Sequence, residues 1–86
     1  MVRIKDLMAK GLLAANDELV WKQKTLGVEH IAIITKYGEI KTSDGQLHRT
    51  PSGAAKWLNG GKSVDGWLTW KTKKHLDTLD ALRKQL

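Results

Sequence analysis

Eighty-six residues suffice for one modest hydrophobic core and not for two. Fifteen Lys and Arg against nine Asp and Glu leave a formal net charge of +6, which favours an acidic partner. The absence of cysteine excludes disulfides and thiolate metal sites and fits a reducing interior, and no apolar run is long enough for a signal peptide or a membrane span.

Ile4, Leu7, Met8, Gly11 and Leu12 fall at helical spacing, which predicts an amphipathic helix from residue 3 to about residue 11. Gly11 and Asn16-Asp17 end it. Residues 18–24 then alternate as a strand, with Leu19 and Trp21 on one face and Val20, Lys22 and Lys24 on the other. After a turn at Leu26-Gly27, residues 28–35 are rich in β-branched side chains. They predict a strand with Ile31, Ile33 and Thr35 opposite Ala32 and Ile34. Lys36-Tyr37-Gly38 turns into a short strand over 39–42, and Ser43-Asp44-Gly45 turns again into 46–49. Short strands joined by tight turns predict an antiparallel meander.

Thr50 is a good helix N-cap, and Pro51 falls at the first helical position, where its missing donor costs nothing. Pro51, Ala54, Ala55 and Leu58 form an apolar stripe, so a short helix is expected over 51–59, closed by Asn59-Gly60-Gly61. Asp65-Gly66 reads as a turn, and Trp67 to Lys73 as a strand with Leu68, Trp70 and Thr72 on one face. A last helix, capped by Asp77 or Thr78, would show Leu79, Leu82 and Leu86 on its apolar side. The expected fold is α+β: one domain over residues 1–86, with a small curved antiparallel sheet of four to five strands and three helices.

The order Thr50-Pro51-Ser52-Gly53-Ala54-Ala55, then Gly60-Gly61, then Asp65-Gly66-Trp67-Leu68-Thr69-Trp70 resembles the SPS-x-AA … G … NGW-x-x-W pattern of the RAMA domain. That family takes its name from association with restriction enzymes and adenine methylases. The resemblance reaches upstream to Gly11-Leu12-Leu13, Asp17-Glu18-Leu19 and the hairpin at 38–47, and downstream to residues 78–83. Thr50 stands for the usual first Ser and Asp65 for the usual Asn, and both keep capping or turn chemistry. The resemblance implies recognition of modified, adenine-methylated DNA in a restriction–modification or defence setting.

Composition supports a polyanion partner independently. Within residues 49–74, Arg49, Lys56, Lys62, Lys71, Lys73 and Lys74 face the single acid Asp65, a surplus of five out of the chain's net six. Lys56, Lys62, Lys71, Lys73 and Lys74 are the candidates for phosphate contacts, which supply affinity and salt dependence but no sequence information. Ser63 beside Lys62 could hold a phosphate at the glycine turn, and Arg49, Ser52 and Asn59 are the candidates for reading bases. Trp21, Trp67 and Trp70 read as core. Trp57 flanks the apolar stripe beside Lys56, and it is open either to core packing or to stacking on a base. A methyl group against such a ring is worth at most about 1 kcal/mol.

Catalysis has no constellation to rest on. Gly60-Gly61-Lys62-Ser63 resembles the tail of a P-loop, but Lys56 stands where its first Gly belongs, and a helix precedes the turn instead of following it. His30, His48 and His75 lack metal-ligand spacing, and no nucleophile elbow supports a set made of Ser63, His48 and Asp65. The expectation is a non-catalytic DNA-binding module without metal or cofactor, cytoplasmic and nucleoid-associated when on DNA. The alternative is an adaptor that docks on an acidic protein such as a methylase, nuclease or phage protein.

Overall fold

Period-two alternation along the first half of the chain becomes an antiparallel meander. The computed structural model describes residues 2–86. Strands β1 (Glu18–Gln23), β2 (Val28–Ile34), β3 (Ile40–Thr42) and β4 (Leu47–His48) follow one another, and β5 (Lys71–Thr72) adds to the far side of β1. The sheet order is β4-β3-β2-β1-β5, with every pairing antiparallel. Register places Leu19 opposite both Ala32 and Thr72, and Trp21 opposite His30. One face therefore gathers Leu19, Trp21, Ala32, Ile34, Ile40 and Thr42, as the alternation required. The other face carries Val20, Lys22, Ile31, Ile33, Lys41, Leu47 and Lys71 towards solvent.

Helices cover the inner face. In α1 (Ile4–Ala9) the carboxylate of Asp6 accepts from the backbone N–H of Arg3 at 2.7 Å, and Ile4 and Leu7 are buried. This helix is shorter than its spacing predicts, because the N–H of Gly11 already bonds Met8 in a closing turn at φ 74°. Helix α2 (Pro51–Leu58) starts as expected: the Thr50 hydroxyl accepts from the N–H of Gly53 at 2.9 Å, and Pro51, Ala54 and Ala55 are buried. It ends at Gly60, whose φ of 67° lets the N–H of Gly61 reach back to the Lys56 carbonyl at 2.9 Å.

The segment after that turn departs from the expected strand. Residues Gly66–Thr69 form a one-turn helix, α3, and only Lys71–Thr72 are extended, so the described residues form four helices where three were expected. Asp65 explains the change. Its carboxylate accepts from the N–H of Trp67 at 3.0 Å, and its carbonyl accepts from the Thr69 hydroxyl at 2.7 Å, which winds the chain. Winding delivers Trp70 into the core, where it is 0% exposed and its Nε1 donates to the carbonyl of Pro51 at 3.1 Å. Gly66 sits so close to α2 that an added Cβ would lie 2.1 Å from the Pro51 carbonyl carbon. Its N–H donates to the Ser52 hydroxyl at 3.0 Å.

Helix α4 (Leu79–Arg83) is capped by Thr78, whose hydroxyl accepts from the N–H of Ala81 at 3.1 Å. Leu79 and Leu82 are buried, whereas Leu86 lies exposed beyond the helix instead of completing its apolar side. The buried cluster joins α1, the sheet, α2 and α4 around Trp70, with Trp21 meeting that ring edge-on at 5.9 Å. Truncating a core aromatic of this kind costs about 3–5 kcal/mol. No helix among the described residues is long and apolar enough to cross a membrane.

Candidate functional site

The buried stripe of α2 turns Lys56 and Trp57 outward. Trp57 is 53% exposed, yet its indole does not hang free. Nε1 donates to Oδ2 of Asp44, in the turn between β3 and β4, at 2.8 Å. The Thr42 hydroxyl donates to the other Asp44 oxygen, and the N–H of Gln46 donates there as well, at 3.2 Å. Donation from Thr42, then from Trp57, pulls the carboxyl of Asp44 from its ordinary 3.8 down to about 2. The acceptor is thus ionised at neutral pH and holds the ring by its edge. His48 lies beside the indole, ring centroids 5.9 Å apart, with Nε2 3.3 Å from the Thr42 hydroxyl.

A second tether holds the glycine turn that follows. The side-chain oxygen of Asn59 accepts from Gln23 at 2.8 Å, and its amide nitrogen donates to the carbonyl of Lys62 at 3.2 Å. Oε1 of Gln23 in turn lies 2.8 Å from Nε2 of His30, an acceptor for that ring's N–H. Burial lowers the pKa of His30 and favours its neutral form. His30 also packs against Trp21 at 4.9 Å. A polar chain therefore runs from β2 through β1 to residues 59–62. Between the two tethers lies a depression of about 400 Å³, lined by His48, Gly53, Lys56, Trp57, Gly60 and Gly61.

This arrangement sorts the candidate residues. Lys56 and Trp57 line the depression, and Lys62 is exposed in the turn just after Gly60 and Gly61. Asn59 supports it, with both ends of its amide engaged inside the protein. The N–H groups of Gly61 and Lys62 bond Lys56 and Asn59 to close the helix, so the turn presents the Lys62 side chain and not an open cradle for a phosphate. Ser63 follows as an exposed residue, and Ser52 is tied to Gly66 at the other end of α2. Arg49 is exposed at that same end and lines a separate cavity.

Lys71, Lys73 and Lys74 are elsewhere. Lys71 projects from the solvent face of the sheet, because Thr72 takes the inward position on β5. Lys73 forms an ion pair with Glu18 at 3.0 Å, and Lys74 is exposed in the loop before α4. The cations of residues 49–74 thus divide between the outer side of α2 and the β5 edge of the sheet.

Four residues that shape the site were not singled out from sequence: Gln23, His30, Asp44 and His48. Asp44 carried a turn signal, and the histidines carried no spacing. Among the described residues no group of three or more His, Asp or Glu could hold a metal ion. The family model described as Restriction Enzyme Adenine Methylase Associated matches residues 1–86. No curated protein matches the chain.

Proposed function

Because the chain belongs to the RAMA family, associated with restriction enzymes and adenine methylases, we propose that it is a non-catalytic DNA-binding module that senses modified, methylated DNA. The observation that carries this reading is the exposed indole of Trp57, clamped by the ionised Asp44 and sharing its depression with Lys56, with Lys62 exposed in the turn that follows. An edge-tethered ring keeps a face open, and a base stacked on such a face gains about 1–3 kcal/mol. Pre-ordering the ring lowers the entropy lost on binding. The carboxylate repels phosphate, so the ring is the base contact and the two lysines meet the backbone. A methyl on the base adds at most about 1 kcal/mol, a severalfold preference and not an absolute switch. Such a module works in the cytoplasm, on DNA that a methylase has marked.

Titrating labelled duplex, with and without N6-methyladenine, at two salt concentrations tests the reading. The expected result is binding that weakens steeply with salt and severalfold tighter binding of the methylated duplex. Equal affinity for both duplexes removes the methyl sense. No binding at low salt removes DNA altogether.

A second reading, an adaptor for an acidic protein, rests on the open sheet face. There Val20 stands opposite Ile31, and Lys41 stands opposite both Ile33 and Leu47, an apolar stripe bordered by Lys22 and Lys71. Mixed apolar and cationic surfaces of this kind suit a protein partner better than a duplex.

A further inference from the structure

A larger cavity opens at the opposite end of α2 from the glycine turn, about 650 Å³ in volume. That lies within the roughly 300–1,000 Å³ typical of small-ligand sites. Its apolar lining includes Ile4, Pro51 and Trp67, with Tyr37 as a second aromatic wall. Four cations, Arg3, Lys5, Arg49 and Arg83, share it with one acid, Glu39. Arg83 is already ordered: it pairs with Asp80, and its guanidinium lies over the Trp67 ring at 4.8 Å. Among the described residues no carboxylate pairs with Arg3 or Arg49. The wall near Tyr37 is closely fitted, because Gly38, at φ 79°, approaches α1 so tightly that a Cβ there would lie 2.6 Å from Cγ of Lys5.

The geometry points to a binding site for a free nucleoside monophosphate. Tyr37, 62% exposed with Lys36 over one face, is the ring surface for the base, Trp67 under Arg83 closes the wall, and the guanidinium forks of Arg3 and Arg49 match a phosphate bidentately. The positive surplus makes the occupant an anion, and the aromatic walls make it one that bears a ring. None of the lining residues belongs to a strand, which disfavours a peptide added as an extra strand. The site lies apart from Trp57 and stands whether or not α2 binds DNA.

Amide NMR spectra of the full chain, titrated with AMP, adenosine and inorganic phosphate, test the assignment. AMP should shift the amides of Arg3, Gly38 and Thr50 saturably and bind at least about tenfold more tightly than adenosine or phosphate alone. Arg3→Gln should weaken AMP at least about tenfold, with the remaining spectrum that of the folded protein and duplex binding unchanged. Tyr37→Ala should weaken AMP but not phosphate. Equal binding of AMP and phosphate would reduce the site to a cationic patch and overturn the proposal. So would AMP shifts centred on Trp57 and Gly60, or no saturable shift.

Discussion

The two sides of α2 are held by different kinds of residue. On the inner side Pro51, Ala54 and Ala55 are buried, Ser52 bonds Gly66, and Trp70 bonds the Pro51 carbonyl. All of these belong to the pattern that marks the family. On the outer side Trp57 is set by Asp44, and the turn after it by Asn59, Gln23 and His30. Of that group only Asp44, in the hairpin at 38–47, falls within the resemblance. The core pattern locks the helix to the scaffold, and the turn after Trp57 is held by Gln23 and His30, which lie outside it.

Gly66→Ala is the strongest way to break this division. A methyl 2.1 Å from the Pro51 backbone cannot be absorbed by a flexible side chain, so α3 must leave α2. Loss of at least about 3 kcal/mol is expected, which for a domain of this size is roughly 12 °C or more in Tm. Thermal unfolding by circular dichroism measures it, and a drop below a few degrees would show that the contact is slack. Trp70→Phe comes next. It keeps most of the apolar burial but leaves the Pro51 carbonyl without its donor, for a loss of about 2–3 kcal/mol by the same assay.

These scaffold positions explain why most of the fold was legible. Alternation over 18–42 decided which strand faces are buried, because a slip of one residue would have turned Ala32 and Ile34 to solvent. The cap at Thr50 and the stop at Gly60 fixed α2 from local chemistry alone. The segment 66–69 departs from expectation for a physical reason: four residues are too few for periodicity to separate a strand from a helical turn. Trp67 and Trp70, three apart, fit a helix as well as a strand, and Asp65 works as a cap and not as a hairpin turn. The site was less legible than the fold. Asp44 meets Trp57 across 13 positions, and Gln23 meets Asn59 across 36, distances at which no local pattern operates. Net charge along 49–74 was correctly read, but the chain reversals between α2 and β5 carry its lysines to different faces.

The outer side should respond in the opposite sense. Trp57→Ala removes an exposed ring, so stability falls by only about 0.5–1 kcal/mol, from the lost bond to Asp44. Duplex affinity should fall about tenfold or more if the ring stacks on a base. Unchanged affinity with unchanged stability would leave α2 without a recognition role. The lysines sharpen the same contrast. Lys62→Gln should lower the slope of log affinity against log salt by about 1, whereas Lys71→Gln, on the other face of the sheet, should leave it unaltered. A slope lowered equally by both would mean that the β5 edge also lies on the duplex.

The smallest expected effect probes the clamp itself. The Asp44 carboxyl titrates at about 2 in the folded protein, against 3.8 ordinarily. Between those values the unfolded chain holds more protons than the folded one, so stability contributed by this group is fully present above about pH 4 and is lost as pH falls towards 2. Asp80, depressed by hydrogen bonds from Arg83 and Lys84, loses its contribution as pH falls too, so acid unfolding of the native chain alone does not isolate Asp44. Asp44→Asn does. An asparagine can still accept from the indole through its neutral oxygen, but it has no proton to gain in that window. The variant should be slightly less stable at neutral pH and should approach the native chain as pH falls from 4 to 2, with Trp57 emission following the same course. A constant gap between the two chains across that window would mean that the carboxylate charge does not hold the ring, and that Trp57 is placed by packing against His48 instead.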